Sequence, residues 1–292
     1  MRTLLLTSIA VLLLSSFIAW KKDRPKLPGE FAMIPGGNFS LPDKNNGDNT
    51  IRITLTGFYM SKYEVSNSQY RQFFNEASVG MNETDKLSIA CDTMGWRQLS
   101  TYNEPFVKYY YSHPAYNNYP VVNISYEGAY RYCKWLEQKI QRDNPEFNIE
   151  VKLPSKAQWI WAAMGGRSQA MFPWKNYYLR DKKGEPLCNF KRVNDQAIYR
   201  NRQTGKPEIA DINYSQASYF TAAVKSYYPN DFGLYNMCGN AAEIIEEKGI
   251  CMGGSWNDYG GDVQIRSEAI YEQASPTVGF RPIIVVKERN GK

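Results

Sequence analysis

The stretch Gly233-Leu-Tyr-Asn-Met-Cys-Gly-Asn-Ala-Ala-Glu243 limits what this chain can fold into more than any other. Two glycine turns, two asparagines and one acid share a segment with neither the 3.6-residue period of a helix nor the alternation of a strand. Gly253-Gly-Ser-Trp256 and Gly279-Phe-Arg281 follow, equally short and equally punctuated. Between Gly166 and the last apolar residues, regular periodicity is almost absent. A C-terminal half built this way has to be held by ordered polar loops, which rules out a helical bundle.

The chain has 292 residues, enough for one large domain or two ordinary ones. Hydrophobic residues make up 43% and charged residues 22%, a globular balance. Tyrosine is heavily used, with 22 copies beside 7 Trp and 13 Phe, so many phenol hydroxyls need partners once buried. Phe31-Ala-Met-Ile-Pro-Gly-Gly-Asn-Phe-Ser40 reads as strand, Pro-Gly-Gly turn, strand, and Ile51 to Thr56 alternates as a half-buried strand does. Ser66 with Gln69 and Ser155 with Gln158 have capping-box spacing, so each begins a helix. The first carries Tyr70, Phe73 and Phe74 on one face, and the second ends at Gly165-Gly166. Pro120 to Ser125 is expected as a short strand. The helix after it puts Ala129, Cys133, Leu136 and Ile140 in one stripe. Residues 75–118 read as long and irregular. Three short helices, scattered strands and long ordered loops define an α+β class with little regular secondary structure.

Residues 1–20 read as a signal peptide or an uncleaved signal anchor, with a short basic start and an apolar run from Leu4 to Leu14 continuing to Trp20. Residues 21–30 form a polar linker, and the globular domain is expected over 31–292. Of the net charge of +6, residues 1–26 carry +4 and the rest only +2. That distribution excludes the concentrated basic face of a nucleic-acid binder and favours membrane association through residues 4–20. No cysteine lies near the end of the apolar run, so no lipid-accepting cysteine is expected there. The five cysteines, Cys91, Cys133, Cys188, Cys238 and Cys251, include no CxxC pair, which excludes a zinc ribbon; buried thiols and up to two disulfides both remain open.

Eleven landmarks stand in order along residues 31–287. They include Met33-Ile-Pro-Gly-Gly-Asn-Phe, Phe58-Tyr-Met-Ser-Lys-Tyr-Glu-Val-Ser-Asn67, Ala129-Tyr-Arg-Tyr-Cys-Lys-Trp135, Leu153-Pro-Ser-Lys-Ala-Gln-Trp159, Phe172-Pro-Trp174 and the three C-terminal turns. In this the chain resembles the formylglycine-generating enzyme (sulfatase-modifying factor) family, a single asymmetric domain related to C-type lectins. The resemblance implies that oxidase members hold copper(I) through two cysteines after the Gly-Gly-Ser turn, as soft thiolates suit that ion. Those positions fall here at about Asp258 and Val263, so no copper is expected. A sulfoxide-forming iron branch uses several histidines, whereas this chain has only His113, expected to be a loop residue. The resemblance also implies calcium at Asn236, Gly239, Ala241 and Glu243, all oxygen donors in the family. A second calcium site would begin at Asn189 and Phe190, where Asp211 and Gln216 match its acidic partner poorly.

The expectation is a non-catalytic member of this fold, exported to the periplasm or outer membrane, serving as a structural or protein-interaction component of a membrane-associated complex. It is similar to the gliding-motility and type IX secretion (GldK- and GldJ-like) branch, although those are lipoproteins. Two alternatives stay open. Asp258, Asp262 and Glu268 would carry displaced chemistry if they converged. The loop from Tyr102 to Tyr119, with Tyr109-Tyr-Tyr111, would offer a glycan- or protein-binding surface.

Overall fold

The computed structural model describes residues 24–42, 50–99, 101–192, 198–209 and 220–288. The apolar segment 4–20, Asp211 and Gln216 lie outside these residues. Among the described residues no helix is long and apolar enough to cross a membrane. In chain order the elements are β1 (Phe31–Ile34), β2 (Gly37–Pro42), β3 (Thr50–Leu55), β4 (Phe58–Ser61), α1 (Asn67–Ala77), α2 (Glu83–Ile89), α3 (Glu104–Tyr109), α4 (Tyr126–Asp143), β5 (Phe147–Lys152), α5 (Lys156–Met164), β6 (Ile198–Arg200), β7 (Pro207–Ile209), β8 (Ala242–Ile244), β9 (Ile250–Met252), β10 (Glu268–Ile270), β11 (Val278–Phe280) and β12 (Ile283–Glu288).

Two four-stranded sheets organise the fold. One is antiparallel with order β1-β4-β12-β5; the other has order β10-β9-β8-β11, with β8 and β11 parallel. β2–β3 and β6–β7 are separate two-stranded ribbons. The first sheet is buried on both faces. Tyr59, Ile149, Val151 and Ile284 pack with Tyr70, Phe73 and Tyr132 from α1 and α4. Phe58, Met60 and Ile283 pack with Trp159 and Ile160 from α5. Neighbours along one strand thus serve different cores, as the two-residue period requires. The free edge of β5 is sealed from α4: Gln141 Oε1 accepts from Ile149 N at 3.0 Å and Glu137 Oε2 accepts from Val151 N at 2.9 Å.

Both predicted capping boxes form, at Ser66/Gln69 and Ser155/Gln158, and α5 ends at Gly165 with φ +59°. Ala129, Cys133 and Ile140 are buried along α4 with Leu136 half-buried beside them. Two expectations are corrected. Residues 75–118 are not irregular: Asn82 caps α2, Pro105 lies in the first turn of α3, and short 3-10 turns span Thr93–Gln98 and Pro114–Tyr116. Pro120–Ser125 is not a strand but a single bridge from Pro120 to Ser66. Asn123, at φ +58°, turns the chain out of the extended conformation. All five cysteines are free thiols, and Cys133, Cys188, Cys238 and Cys251 are buried.

Candidate functional site

The turn that dominates the sequence folds around a buried polar knot. Asn236 (φ +52°), Gly239 (φ +74°) and Asn240 (φ +67°) all adopt the left-handed conformation, which asparagine tolerates and glycine favours. At Gly239 no side chain fits, since a Cβ would lie 2.4 Å from the Asn189 carbonyl oxygen. Reversing the chain so tightly aims both asparagine side chains at Glu64, which enters from the segment after β4. Asn240 Nδ2 donates to Glu64 Oε1 at 2.7 Å, and Asn236 Nδ2 donates to Oε2 at 3.1 Å. Asn240 Oδ1 accepts from Ala222 N at 2.6 Å and from Asn189 Nδ2 at 3.2 Å.

Glu243 and Arg281 form the second half of the knot, and both are fully buried. Arg281 Nε donates to both Glu243 oxygens at 2.8 Å and Nη2 donates to Oε1 at 2.6 Å. Trp159 Nε1 of α5 donates to Oε2 at 2.7 Å. The remaining guanidinium hydrogens reach Ser61 O, Lys62 O and Tyr235 O. One arginine therefore fastens the end of β4, the turn and β8 together. Burial pulls its pKa down, but the Glu243 and Glu64 charges outweigh burial and leave it raised. Burial pushes Glu64 up to about 7, partly offset by Arg281 and reinforced by Glu243.

The structure places Asn236, Gly239 and Ala241 in the turn around Asn240 with Glu243 just beyond in β8, and it also brings Asn189, expected in a separate site, onto Asn240. The Glu243 carboxylate, expected to face a cation, faces a guanidinium and an indole. Both its oxygens are engaged by N–H groups, three in all, beside a guanidinium charge, so this set does not fit calcium through Glu243. Asn189 is different: its Nδ2 donates to Phe220 O and Asn240, while its buried Oδ1 has no hydrogen-bond partner. An orphaned buried oxygen of this kind fits a hard cation. Phe190 packs instead with Cys188, Val263, Leu179 and Trp174.

The segment after Gly253-Gly-Ser is closed in another way. Ser255 is fully buried, and Asp258 Oδ2 accepts from its N at 2.8 Å and from its Oγ at 2.6 Å. Val263 is buried among Cys188 and Phe190. Trp256 stacks on Trp96 at 6.3 Å, and its Nε1 donates to Pro276 O. Asp262 is exposed, and Glu268 pairs with Lys156. Among the described residues no three His, Cys, Asp or Glu side chains come together as a metal-holding group. The three carboxylates do not converge.

His113 is exposed, and its Nδ1 accepts from Ala115 N at 3.2 Å, which caps the 3-10 turn at Pro114. In the tyrosine-rich loop, Tyr110 is buried with its hydroxyl on Pro120 O and Thr221 Oγ1, and Tyr116 and Tyr119 pack with Phe106 and Phe220. Tyr111 is half-buried with Arg71 over its ring. Tyr102 and Tyr109 remain exposed. Glu64, Trp159, Asn240 and Arg281 were quoted in the motifs without a role. Charged or amide residues flanked by apolar strand residues, as in Tyr63-Glu-Val and Gly-Phe-Arg-Pro-Ile, are the signal that points to them.

These turns carry a family signature: residues 19–286 match the Sulfatase-modifying factor enzyme 1-like domain, and the chain belongs to that family. It is 26% identical over 246 residues to the formylglycine-generating enzyme of Mus musculus, covering 75% of this chain and 58% of that protein. The match therefore spans less than two thirds of that relative. The inactive C-alpha-formylglycine-generating enzyme 2 of Bos taurus is 22% identical over 296 residues, covering 85% of each. Among solved structures, PvdO from Pseudomonas aeruginosa superposes with a TM-score of 0.56 at 19% identity, covering 87% of this chain and 93% of that one. The likeness shows a shared fold.

Proposed function

We propose that this chain is a non-catalytic member of the family that works as a structural or protein-interaction module. The carrying observation is the state of Asp258 and Val263, the approximate positions at which the family resemblance puts the copper cysteines. Asp258 is spent on Ser255, and Val263 is buried in apolar packing. Neither supplies the thiolate that monovalent copper favours. A relative named as inactive that aligns over most of both chains supports this reading. The apolar run at residues 4–14 with basic flanks supports a place in the bacterial cell envelope, in a complex of the secretion or gliding type. A hard cation at Asn189 Oδ1 belongs to the same proposal; adding a calcium chelator then lowers the melting temperature.

The test is copper titration followed by oxygen consumption on a cysteine-containing sulfatase peptide. The expected result is background consumption at every copper level. Turnover above background overturns the non-catalytic reading. Intact-mass analysis of the protein recovered from membranes shows whether residues 1–20 stay attached, as membrane association through them requires.

A further inference from the structure

A cleft of about 560 Å³ opens between the segment Lys26–Glu30 and helices α1 and α4. Leu27, Pro28, Trp135 and Leu136 supply its apolar walls. Two polar groups that line it are left without adequate partners. The Glu30 carboxylate is half-buried and accepts only from one neutral amide, Gln69 Nε2, at 3.2 and 3.1 Å. Among the described residues it pairs with no cation. Gln69 cannot turn to serve it further, because its own oxygen holds the Ser66 cap at 2.9 Å. Burial accordingly holds Glu30 above its ordinary pKa, which the Gln69 hydrogen bond only partly offsets.

Tyr132 is the second group. Only 3% of it is exposed, and Tyr70, Phe73, Trp135 and Phe280 fix its ring. Its hydroxyl makes no hydrogen bond among the described residues. The lysines of the cleft do not answer Glu30. Lys139 is held by Glu76 at 3.1 Å, with its ammonium 4.3 Å from the Trp135 ring centre. Lys26 is tied by its backbone to Asn144 and leaves its side chain exposed. A half-buried carboxylate served only by a neutral amide, beside a phenol hydroxyl with no protein partner among the described residues, gains from an incoming cationic donor.

We propose that this cleft binds an organic cation, an alkylammonium or alkylguanidinium group, whose N–H groups reach Glu30 and Tyr132 while its carbon stem lies along Trp135 and Leu136. The charge-assisted bonds supply orientation, and the apolar wall takes the methylenes. Such a group comes either from a free amine or from a lysine or arginine side chain of a polypeptide. The site shares no residue with the Gly253–Val263 segment, and the inference does not depend on whether that segment is catalytic.

Isothermal titration of the full chain with agmatine and with N-acetyl-arginine methylamide tests this. Saturable binding is expected for at least one probe. Glu30→Gln is expected to weaken it by about tenfold, and Tyr132→Phe by about threefold. Glu30→Gln keeps an oxygen for Gln69 and removes a half-buried charge, so its melting temperature should not fall. Tyr132→Phe keeps the ring packing and gives a second check. Tighter binding of agmatine assigns the site to a free amine, and tighter binding of the capped arginine assigns it to a polypeptide side chain. Absence of saturable binding by both probes at about 10 mM overturns the proposal. Binding that Glu30→Gln leaves unchanged overturns it as well.

Discussion

The two sides of the Gly239-Asn240-Ala241 turn have opposite characters. On one side, Glu64, Glu243, Arg281, Trp159 and the two asparagines form a buried network whose members come from the segment after β4, α5, the turn, β8 and the β11–β12 junction. On the other, the Gly253–Val263 segment uses its one buried-side carboxylate locally, Asp258 on Ser255, and is otherwise held by backbone bonds, by Trp256 against Trp96 and Pro276, and by apolar packing around Val263. The Glu64 carboxylate of the first side bonds a residue 176 positions away; the Asp258 carboxylate of the second bonds a residue three positions away. The long-range network is what the fold cannot lose. The Asp258 contact is accordingly expected to matter less to the scaffold than the charged network.

The comparison is broken most directly at Arg281. Arg281→Met leaves two buried carboxylates without their cation and is expected to cost about 3–5 kcal/mol in urea unfolding. A cost below about 1 kcal/mol would mean that the network does not hold the fold. Asn240→Ala comes next. It strips donors from Glu64 and an acceptor from Ala222 N, for a loss of about 2 kcal/mol measured the same way.

A pH series is more specific to the network. The folded protein holds the Glu64 proton more tightly than an unfolded glutamate does, because its pKa is raised from 4.5 to about 7. The resulting stabilisation is complete below about pH 4.5 and is lost as pH rises through about 7. Between pH 6 and 8.5 the unfolding free energy is expected to fall by roughly 1–2 kcal/mol, and Glu64→Gln is expected to remove that fall. A slope that Glu64→Gln leaves unchanged would assign the titration elsewhere. The smallest effect belongs to the opposite side of the turn. Asp258→Asn keeps an acceptor for Ser255 and is expected to cost about 1 kcal/mol or less. A loss equal to that of Arg281→Met would erase the distinction between the two sides.

Local features were legible in the sequence because their partners are near neighbours. Ser66 with Gln69, Ser155 with Gln158, and Gly165 all took the roles that their spacing predicts. That Asn236, Gly239 and Glu243 lie close together was legible, since they fall within eight residues of sequence. Their bonding was not, because the arginine that claims Glu243 lies 38 residues on and the tryptophan 84 residues back. The helices of residues 75–118 were missed because they are short and mostly exposed, so packing leaves little periodic trace. Pro120–Ser125 was mistaken for a strand because Val121, Val122 and Ile124 make a short β-branched run, while the left-handed Asn123 in it is held by backbone bonds to Asp92 and Ser275, far off in sequence.

The side chains of α4 that cover β5 bear on how this molecule can assemble. With Glu137 and Gln141 already occupying the amides of Val151 and Ile149, that margin of the sheet has no free donors there to offer an incoming strand. Polymer growth by adding strands at this margin would first have to pull both side chains away. Any companion of this protein approaching from that direction meets helix and loop rather than open backbone.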